Sequence, residues 1–133
     1  LSDKRMKKDI SPVNHDMAHD FINKIEPVEF KWRSDGNFDT GFIAQDLLRE
    51  GFGYLVGGTA DPDMPELTED GLTSPAGGKF IVRYESIISL LASVVKDHEQ
   101  KIISLEETID HQEQVNTNLQ TQIDELKELI EKK

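Results

Sequence analysis

The chain has 133 residues, of which 36% are hydrophobic and 31% are charged, and it contains no cysteine. This composition is polar for a compact domain and favours a small core combined with a long exposed helix. The net charge of −11 disfavours binding to phosphate backbones, and the absence of thiols excludes disulfides, thiolate zinc sites and cysteine nucleophiles. No apolar run approaches the roughly 20 residues that span a bilayer, so neither nucleic acid nor membrane is an expected partner.

Residues 1–85 are predicted to form a small mixed α/β head domain. A short helix is indicated where apolar residues fall on one side and Pro27 stops the pattern. Alternating apolar and polar residues predict half-buried strands, and Trp32 is assigned to the core. The predicted elements are a helix at 16–25, strands at 28–32, 42–43 and 80–84, a turn at 34–37 and one or two helical turns at 46–49.

Residues 57–79 lack periodicity and contain five Gly, three Pro and five acidic residues. A stretch of this length is either disordered or a functional arm. We expect a projecting arm within the head domain.

Residues 86–133 contain neither Gly nor Pro and repeat apolar residues every seven positions. Such a repeat predicts a left-handed coiled coil, because only supercoiling keeps the stripe facing its partners. The helix would be about 70 Å long, and a single helix cannot bury that stripe. The predicted interface residues at the a and d positions are Ile88, Leu91, Val95, Ile102, Leu105, Ile109, Asn116, Leu119, Ile123, Leu126 and Ile130, and the polar residues at d are His98 and Gln112.

The number of helices in the coiled coil stays open from the pattern alone. Ile at a, Leu at d and one Asn at an a position, Asn116, favour a parallel dimer. Val115 and Leu129 fall at g positions and widen the apolar stripe, as larger bundles require.

The N-terminal residues contain the pattern S-D-x-R-x-K, in which Ser2 and Lys7 are candidates for a catalytic dyad. In such a dyad a neutral amine takes the hydroxyl proton, which requires a lysine whose pKa is lowered by desolvation or by neighbouring cations. The five-residue spacing places the two side chains on different faces of a regular helix. A turn, or a lysine from another subunit, is therefore needed to bring them together. A solvated basic arm is the alternative interpretation.

Three stretches in order along the chain carry a family resemblance: S-D-x-R-x-K, the run Gly-Phe-Ile-Ala-Gln at 41–45, and Val-Arg-Tyr at 82–84 leading into the heptad helix. Together they resemble the intramolecular chaperone auto-processing family, also classed as peptidase family S74. Its members sit at the C-termini of phage endosialidases, tail fibres and neck appendages. The chain is similar to the chaperone of an L-shaped phage tail fibre.

The resemblance implies a parallel homotrimer that registers three fibre strands and then cleaves its own backbone. By this resemblance Ser2 is the nucleophile, Lys7 the base, and Asp3 and Arg5 support the motif. The cut is expected between Leu1 and Ser2, with a cut before Leu1 as the alternative. The implied partner is the upstream fibre or spike region of the same polypeptide, in the cytoplasm of the infected bacterium. The released chaperone would be absent from the mature fibre.

Two questions stay open at this point. The cleavage is either an N-to-O acyl shift at Ser2 or a direct serine attack assisted by lysine, within one chain or across subunits. The alternative function is a non-catalytic coiled-coil trimerisation or adaptor module.

His15 and His19 lie four residues apart on the predicted helix, a spacing that is compatible with a metal. No third ligand is evident nearby, so we expect neither a metal site nor a cofactor.

Overall fold

A computed structural model describes residues 2–59 and 79–132 of the chain. Within these residues the fold is mixed α/β, with two small sheets and one long C-terminal helix, which confirms the predicted class at that level. The elements are α1 (His15–Lys24), β1 (Val28–Lys31), β2 (Phe38–Gly41), α2 (Ala44–Arg49), β3 (Val56–Thr59), β4 (Lys79–Val82) and α3 (Tyr84–Glu131), with 3₁₀ turns at Lys4–Met6 and Gly53–Leu55.

Helix α1 begins where the sequence supplies an N-cap. The side chain of Asn14 accepts hydrogen bonds from the backbone N–H groups of Asp16 and Met17, at 2.9 and 3.2 Å. The helix ends one residue before Ile25, and Pro27 follows. The predicted helix at 16–25 is therefore confirmed within one residue at each end.

Strands β1 and β2 form an antiparallel hairpin in which Val28 pairs with Gly41 and Lys31 with Phe38. The second strand therefore ends before the predicted 42–43. Trp32 was predicted to be in the core, and this is wrong: its side chain is 51% exposed. It packs edge-on against Phe30, with ring centroids 5.0 Å apart, on the surface of the hairpin.

The second hairpin corrects the predicted bounds of the arm at 57–79. Strand β3 pairs antiparallel with β4, with Val56 opposite Val82 and Thr59 opposite Lys79. Both ends of the predicted arm are thus strands of the head. The remainder, 60–78, lies outside the described residues.

One hydrophobic core joins α1, α2, the second hairpin and the first turns of α3. Phe21 is at its centre and meets the ring of Phe52 edge-to-face, with centroids 5.5 Å apart. From α3 the core takes a stripe that the heptad assignment places outside the coiled-coil seam. The buried members are Ala18, Phe21, Ile25, Leu47, Phe52, Leu55, Ile87, Leu90 and Val94.

The chain divides into two compact units, Leu1–Val94 and Val95–Lys133. The sequence placed the division between 85 and 86, at the start of the long helix. In the structure the division lies nine residues later, after Val94, because Ile87, Leu90 and Val94 on α3 are buried in the core of the first unit. We call the first unit the head and the second the stem.

The stem leaves its apolar side chains in water within a single chain. The apolar residues at a and d from Ile102 to Ile130 are between 45% and 72% exposed. In the part of the chain that the structure describes, no helix combines the length and apolarity that a membrane crossing needs.

Candidate active site

The S-D-x-R-x-K motif forms a short 3₁₀ turn at Lys4–Met6. Its N-cap is Asp3, whose carboxylate accepts a hydrogen bond from the backbone N–H of Arg5 at 2.9 Å. The backbone N–H groups of Met6 and Lys7 close the turn onto the carbonyls of Asp3 and Lys4, at 3.0 and 3.1 Å. A 3₁₀ turn reverses the chain over few residues, so the residues that flank it come together.

The side chains of Asp3 and Arg5 hold this turn with a bidentate ion pair. Arg5 Nε lies 3.1 Å from both carboxylate oxygens, and Arg5 Nη2 lies 2.5 Å from Asp3 Oδ2. The hydrogen bonds from Arg5 lower the pKa of the Asp3 carboxyl, which means that the ion pair favours its charged form. Because Asp3 compensates the guanidinium, Arg5 braces the turn instead of supplying an isolated cation.

The turn brings Ser2 and Lys7 into direct contact. Lys7 Nζ donates a hydrogen bond to Ser2 Oγ at 3.0 Å, across a separation of five residues. The sequence required either a turn or a lysine from another subunit for this contact, and the turn is present. Leu1, the residue on the other side of the expected cut, lies outside the described residues.

The arrangement places an amine within proton-transfer distance of a hydroxyl. A protonated lysine can only donate, whereas a neutral one can accept the hydroxyl proton and activate the oxygen. Both side chains are exposed in the single chain, as are all described residues up to Pro12. The contact therefore has the geometry of a Ser–Lys dyad but not yet the dry surroundings in which a lysine readily loses its proton.

The other two stretches of the resemblance meet each other in the head. The hydroxyl of Tyr84 accepts a hydrogen bond from the backbone N–H of Phe42 at 3.2 Å. The same hydroxyl fills the space next to Gly41, where any Cβ would overlap it. This contact was not predicted from the sequence. It explains why position 41 is a glycine and position 84 a tyrosine.

Residues 2–52 match the family Peptidase S74, described as chaperone of endosialidase. The match confirms the predicted family over a segment that contains the complete S-D-x-R-x-K motif and the stretch at 41–45. It supports a chaperone role. Val82, Arg83 and Tyr84 lie beyond the matched segment. No curated protein matches the chain.

The two histidines of α1 lie within the S74 segment but outside its motif. His15 Nδ1 lies 3.1 Å from Ser93 Oγ, and this contact ties the start of α1 to α3. Across residues 2–59 and 79–132, no three His, Cys, Asp or Glu side chains are grouped as a metal site requires.

A surface groove runs between the two hairpins of the head. Trp32 and Phe42 line it from the first hairpin, Phe80 and Val82 from the second, and Tyr84 from α3. The groove was not predicted from the sequence, because the residues named on its two sides are 38 or more positions apart in the chain.

Proposed function

We propose that this chain is a C-terminal intramolecular chaperone that trimerises a phage tail fibre or spike, sets its register and then releases itself by autoproteolysis beside Ser2. The observation that carries the proposal is the 3.0 Å contact between Ser2 Oγ and Lys7 Nζ inside a segment that matches the S74 family. A solvated basic arm with no catalytic role would not require a turn that is held by an ion pair and that places the amine of Lys7 next to the hydroxyl of Ser2.

The chemistry follows from the position of Ser2 directly after the proposed scissile bond. Ser2 Oγ attacks the carbonyl carbon of Leu1 while its proton passes to neutral Lys7 Nζ. The peptide C–N bond breaks, and the lysine returns the proton to the nitrogen of Ser2. The upstream chain is then an ester on Oγ, which water hydrolyses to a carboxylate and the free hydroxyl. Direct attack by a serine from another chain on the same carbonyl is the alternative route.

Exposure of the dyad in the single chain supports cleavage that depends on assembly. Water stabilises the ammonium form of an exposed lysine, and the ammonium form cannot take a proton from a hydroxyl. Contact with neighbouring chains, or with the folded fibre end, would remove that water and favour the neutral amine. The cut would then follow folding and not precede it.

The stem supplies the assembly step. Its apolar a and d residues are exposed in one chain and require partners of the same sequence. We propose a parallel homotrimer, because Val115 and Leu129 widen the stripe beyond what a dimer covers and because the S74 resemblance implies three chains. Interleaved fibre structure has few local contacts and folds slowly, so a stem that holds three chains together lowers the entropic barrier to folding.

The partner is then the upstream fibre region of the same polypeptide, and the site of action is the cytoplasm of the infected bacterium. Cleavage after folding removes the stem, which is the place where unfolding of the assembled fibre would start most easily. The fibre that remains therefore unfolds slowly, which is the advantage of cleaving after folding.

The test is expression of a precursor in which the chain follows its own fibre region, with mass measurement of the released fragment. Ser2→Ala removes the nucleophile, so this precursor should assemble as a trimer and stay full-length. Lys7→Ala should reduce cutting at least about 100-fold. Lys7→Arg should fail equally, because a guanidinium does not lose its proton in proteins. The mass of the wild-type fragment decides between a start at Ser2 and a start at Leu1.

Lys8→Ala is the matched control, since it removes an exposed lysine next to the dyad and should leave cutting unchanged. Efficient cutting by the Ser2→Ala precursor would exclude the mechanism. An uncut but trimeric wild-type precursor would favour the non-catalytic trimerisation module instead.

A further inference from the structure

Asp9 has an unusual backbone conformation two residues after the last residue of the S-D-x-R-x-K motif. Its φ angle is +53°, and within residues 2–59 and 79–132 no other residue except glycine has a positive φ. The left-handed region is costly for residues with a Cβ atom, although asparagine and aspartate tolerate it better than most. The chain therefore bends at Asp9 in a way that few other side chains would accept.

This bend lies in the segment that connects the motif to the head core. The described residues up to Pro12 are all exposed, whereas Val13 packs against the core and Asn14 caps α1. Lys7, the last motif residue, has an extended backbone with a φ of −122° and a ψ of 145°. The backbone of residues 8–12 therefore sets the direction in which the motif turn leaves the head.

Two residues of this connection have restricted torsion angles. The ring of Pro12 holds its own φ near about −65°, and it biases the preceding residue, Ser11, toward extended conformations. Asp9 restricts the chain in a different way, because it accepts the left-handed bend but lacks the wider freedom of glycine. The connection is therefore built to favour one direction over many.

We propose that Asp9 is a positioning residue for the Ser2–Lys7 dyad: its left-handed backbone fixes the orientation of the motif turn relative to the head core. This role rests on the proposed autoproteolysis. The turn itself holds the contact between Ser2 and Lys7, through the cap and ion pair of Asp3. Asp9 therefore acts on where the dyad is presented and not on its internal geometry.

The orientation matters because the exposed dyad depends on another surface for its activity. A lysine loses its proton readily only where water is removed from it. In the proposed mechanism a neighbouring chain or the folded fibre end removes that water. A turn that leaves the head in another direction would not meet this surface, and the fraction of competent chains would fall.

Three substitutions separate the backbone conformation of Asp9 from the charge of its side chain. Asp9→Asn removes the charge and still tolerates the bend, and Asp9→Gly removes the side chain and accepts the bend freely. Asp9→Val introduces a β-branched side chain, which is strongly disfavoured in the left-handed region. A role of the backbone predicts that only the valine variant loses function.

The experiment measures the rate of cutting in full precursors that carry these substitutions. Asp9→Val should reduce the rate about 10-fold, because the cost of the left-handed conformation depopulates the bend. The asparagine and glycine variants should cut at close to the wild-type rate. Lys8→Val is the matched control, because it places the same side chain at a neighbouring exposed residue whose φ is not positive. All variants should sediment like the wild type, since position 9 is exposed.

A nuclear magnetic resonance measurement tests the bend without cleavage. The amide and Hα protons of one residue are closest when its φ is positive, so their nuclear Overhauser effect should be strong at residue 9. We expect a strong effect in the wild type and in the asparagine variant, and a weak one in the valine variant. A weak effect in the wild type would overturn the bend and the role proposed for it.

The cleavage assay contains further outcomes that contradict the proposal. Wild-type rates in the Asp9→Val precursor would show that the bend is not needed. A loss as large as that of the valine variant in either the asparagine or the glycine variant, or in Lys8→Val, would also overturn the positioning role. A wild-type precursor that stays uncut would remove the proposed function and the role of Asp9 together, whereas normal cutting by Asp9→Val removes the role of Asp9 alone.

Discussion

The head and the stem of this molecule use the same helix in opposite ways. In the head, α3 contributes Ile87, Leu90 and Val94 to a core that one chain completes by itself. In the stem, the helix presents apolar residues that no part of the same unit covers. Stability in the head is thus a property of one chain, whereas the proposed assembly of the stem would make its stability depend on protein concentration.

The two uses overlap in the first turns of α3. Ile87, Leu90 and Val94 are buried, while Ile88, Leu91 and Val95 are exposed. Each exposed residue directly follows a buried one, so the two sets lie about 100° apart around the helix. In these turns the exposed apolar residues therefore lie on a different side of the helix from the residues that the head core requires.

The largest effect is expected from charged residues at the a positions of the stem, which test whether the stem depends on partner chains. Ile109→Asp with Ile123→Asp would bury two layers of unpaired carboxylates, each costing several kcal/mol per ion. The double variant should sediment as a monomer of about 15.1 kDa with an intact head, and its precursor should stay uncut. Sedimentation equilibrium at micromolar concentration measures the first effect and fragment mass the second.

The control puts the same charges on the outer face. Gln114→Asp with Thr121→Asp occupies two f positions, so the trimer and its cleavage should be preserved. Cutting by a monomeric Ile109/Ile123 variant would show that assembly does not gate the reaction.

A second variant tests whether the head is independent of the stem. Phe21→Ala removes a buried ring at the centre of the head core and should lower the free energy of unfolding by about 3–5 kcal/mol. Urea unfolding followed by the fluorescence of Trp32, the only tryptophan, reports on the head. The stem should still form trimers. Ile22→Ala, at a 42% exposed position on the same helix, should cost far less. If the Phe21 variant alone failed to form trimers, the head and the stem would have to fold as one cooperative structure.

The smallest effect concerns the contact of Gly41 and Phe42 with Tyr84. Tyr84→Phe removes one hydrogen bond and should cost about 1 kcal/mol. Gly41→Ala places a methyl group against the hydroxyl and should cost about 1–3 kcal/mol. In the double variant the hydroxyl is gone, so the methyl group should be tolerated and the two losses should not add. Strict additivity in urea unfolding would mean that the two residues do not interact as described.

Local signals in the sequence predicted much of the fold. Helix α1 follows from Asn14 as a cap and Pro27 as a stop, and α3 follows from a long run without Gly or Pro. Strand β3 was missed because its two central glycines, Gly57 and Gly58, hide the alternation and its partner β4 lies far along the chain. Trp32 was misassigned because alternation does not tell which face of a hairpin is covered.

The site was predicted in its residues but not in its geometry. The motif indicated Ser2 and Lys7, and their spacing excluded a contact within a regular helix. It did not decide whether the two residues meet within one chain or come from two different chains. The missing information was in Asp3, whose side chain caps a 3₁₀ turn and pairs with Arg5. The trimer, the cut and the roles of Ser2 and Lys7 stay predictions, because a single chain contains neither the partners nor the upstream peptide.

The second hairpin has a consequence for how this architecture can vary. Strands β3 and β4 pair so that Thr59 lies opposite Lys79, and the two ends of the segment that joins these strands are therefore adjacent. Doubling the length of a segment closed in this way costs only about 0.6 kcal/mol in chain entropy. A reporter peptide inserted directly after Thr59 or directly before Lys79 should therefore leave the two strands paired, which makes this junction a natural place to lengthen or label the protein.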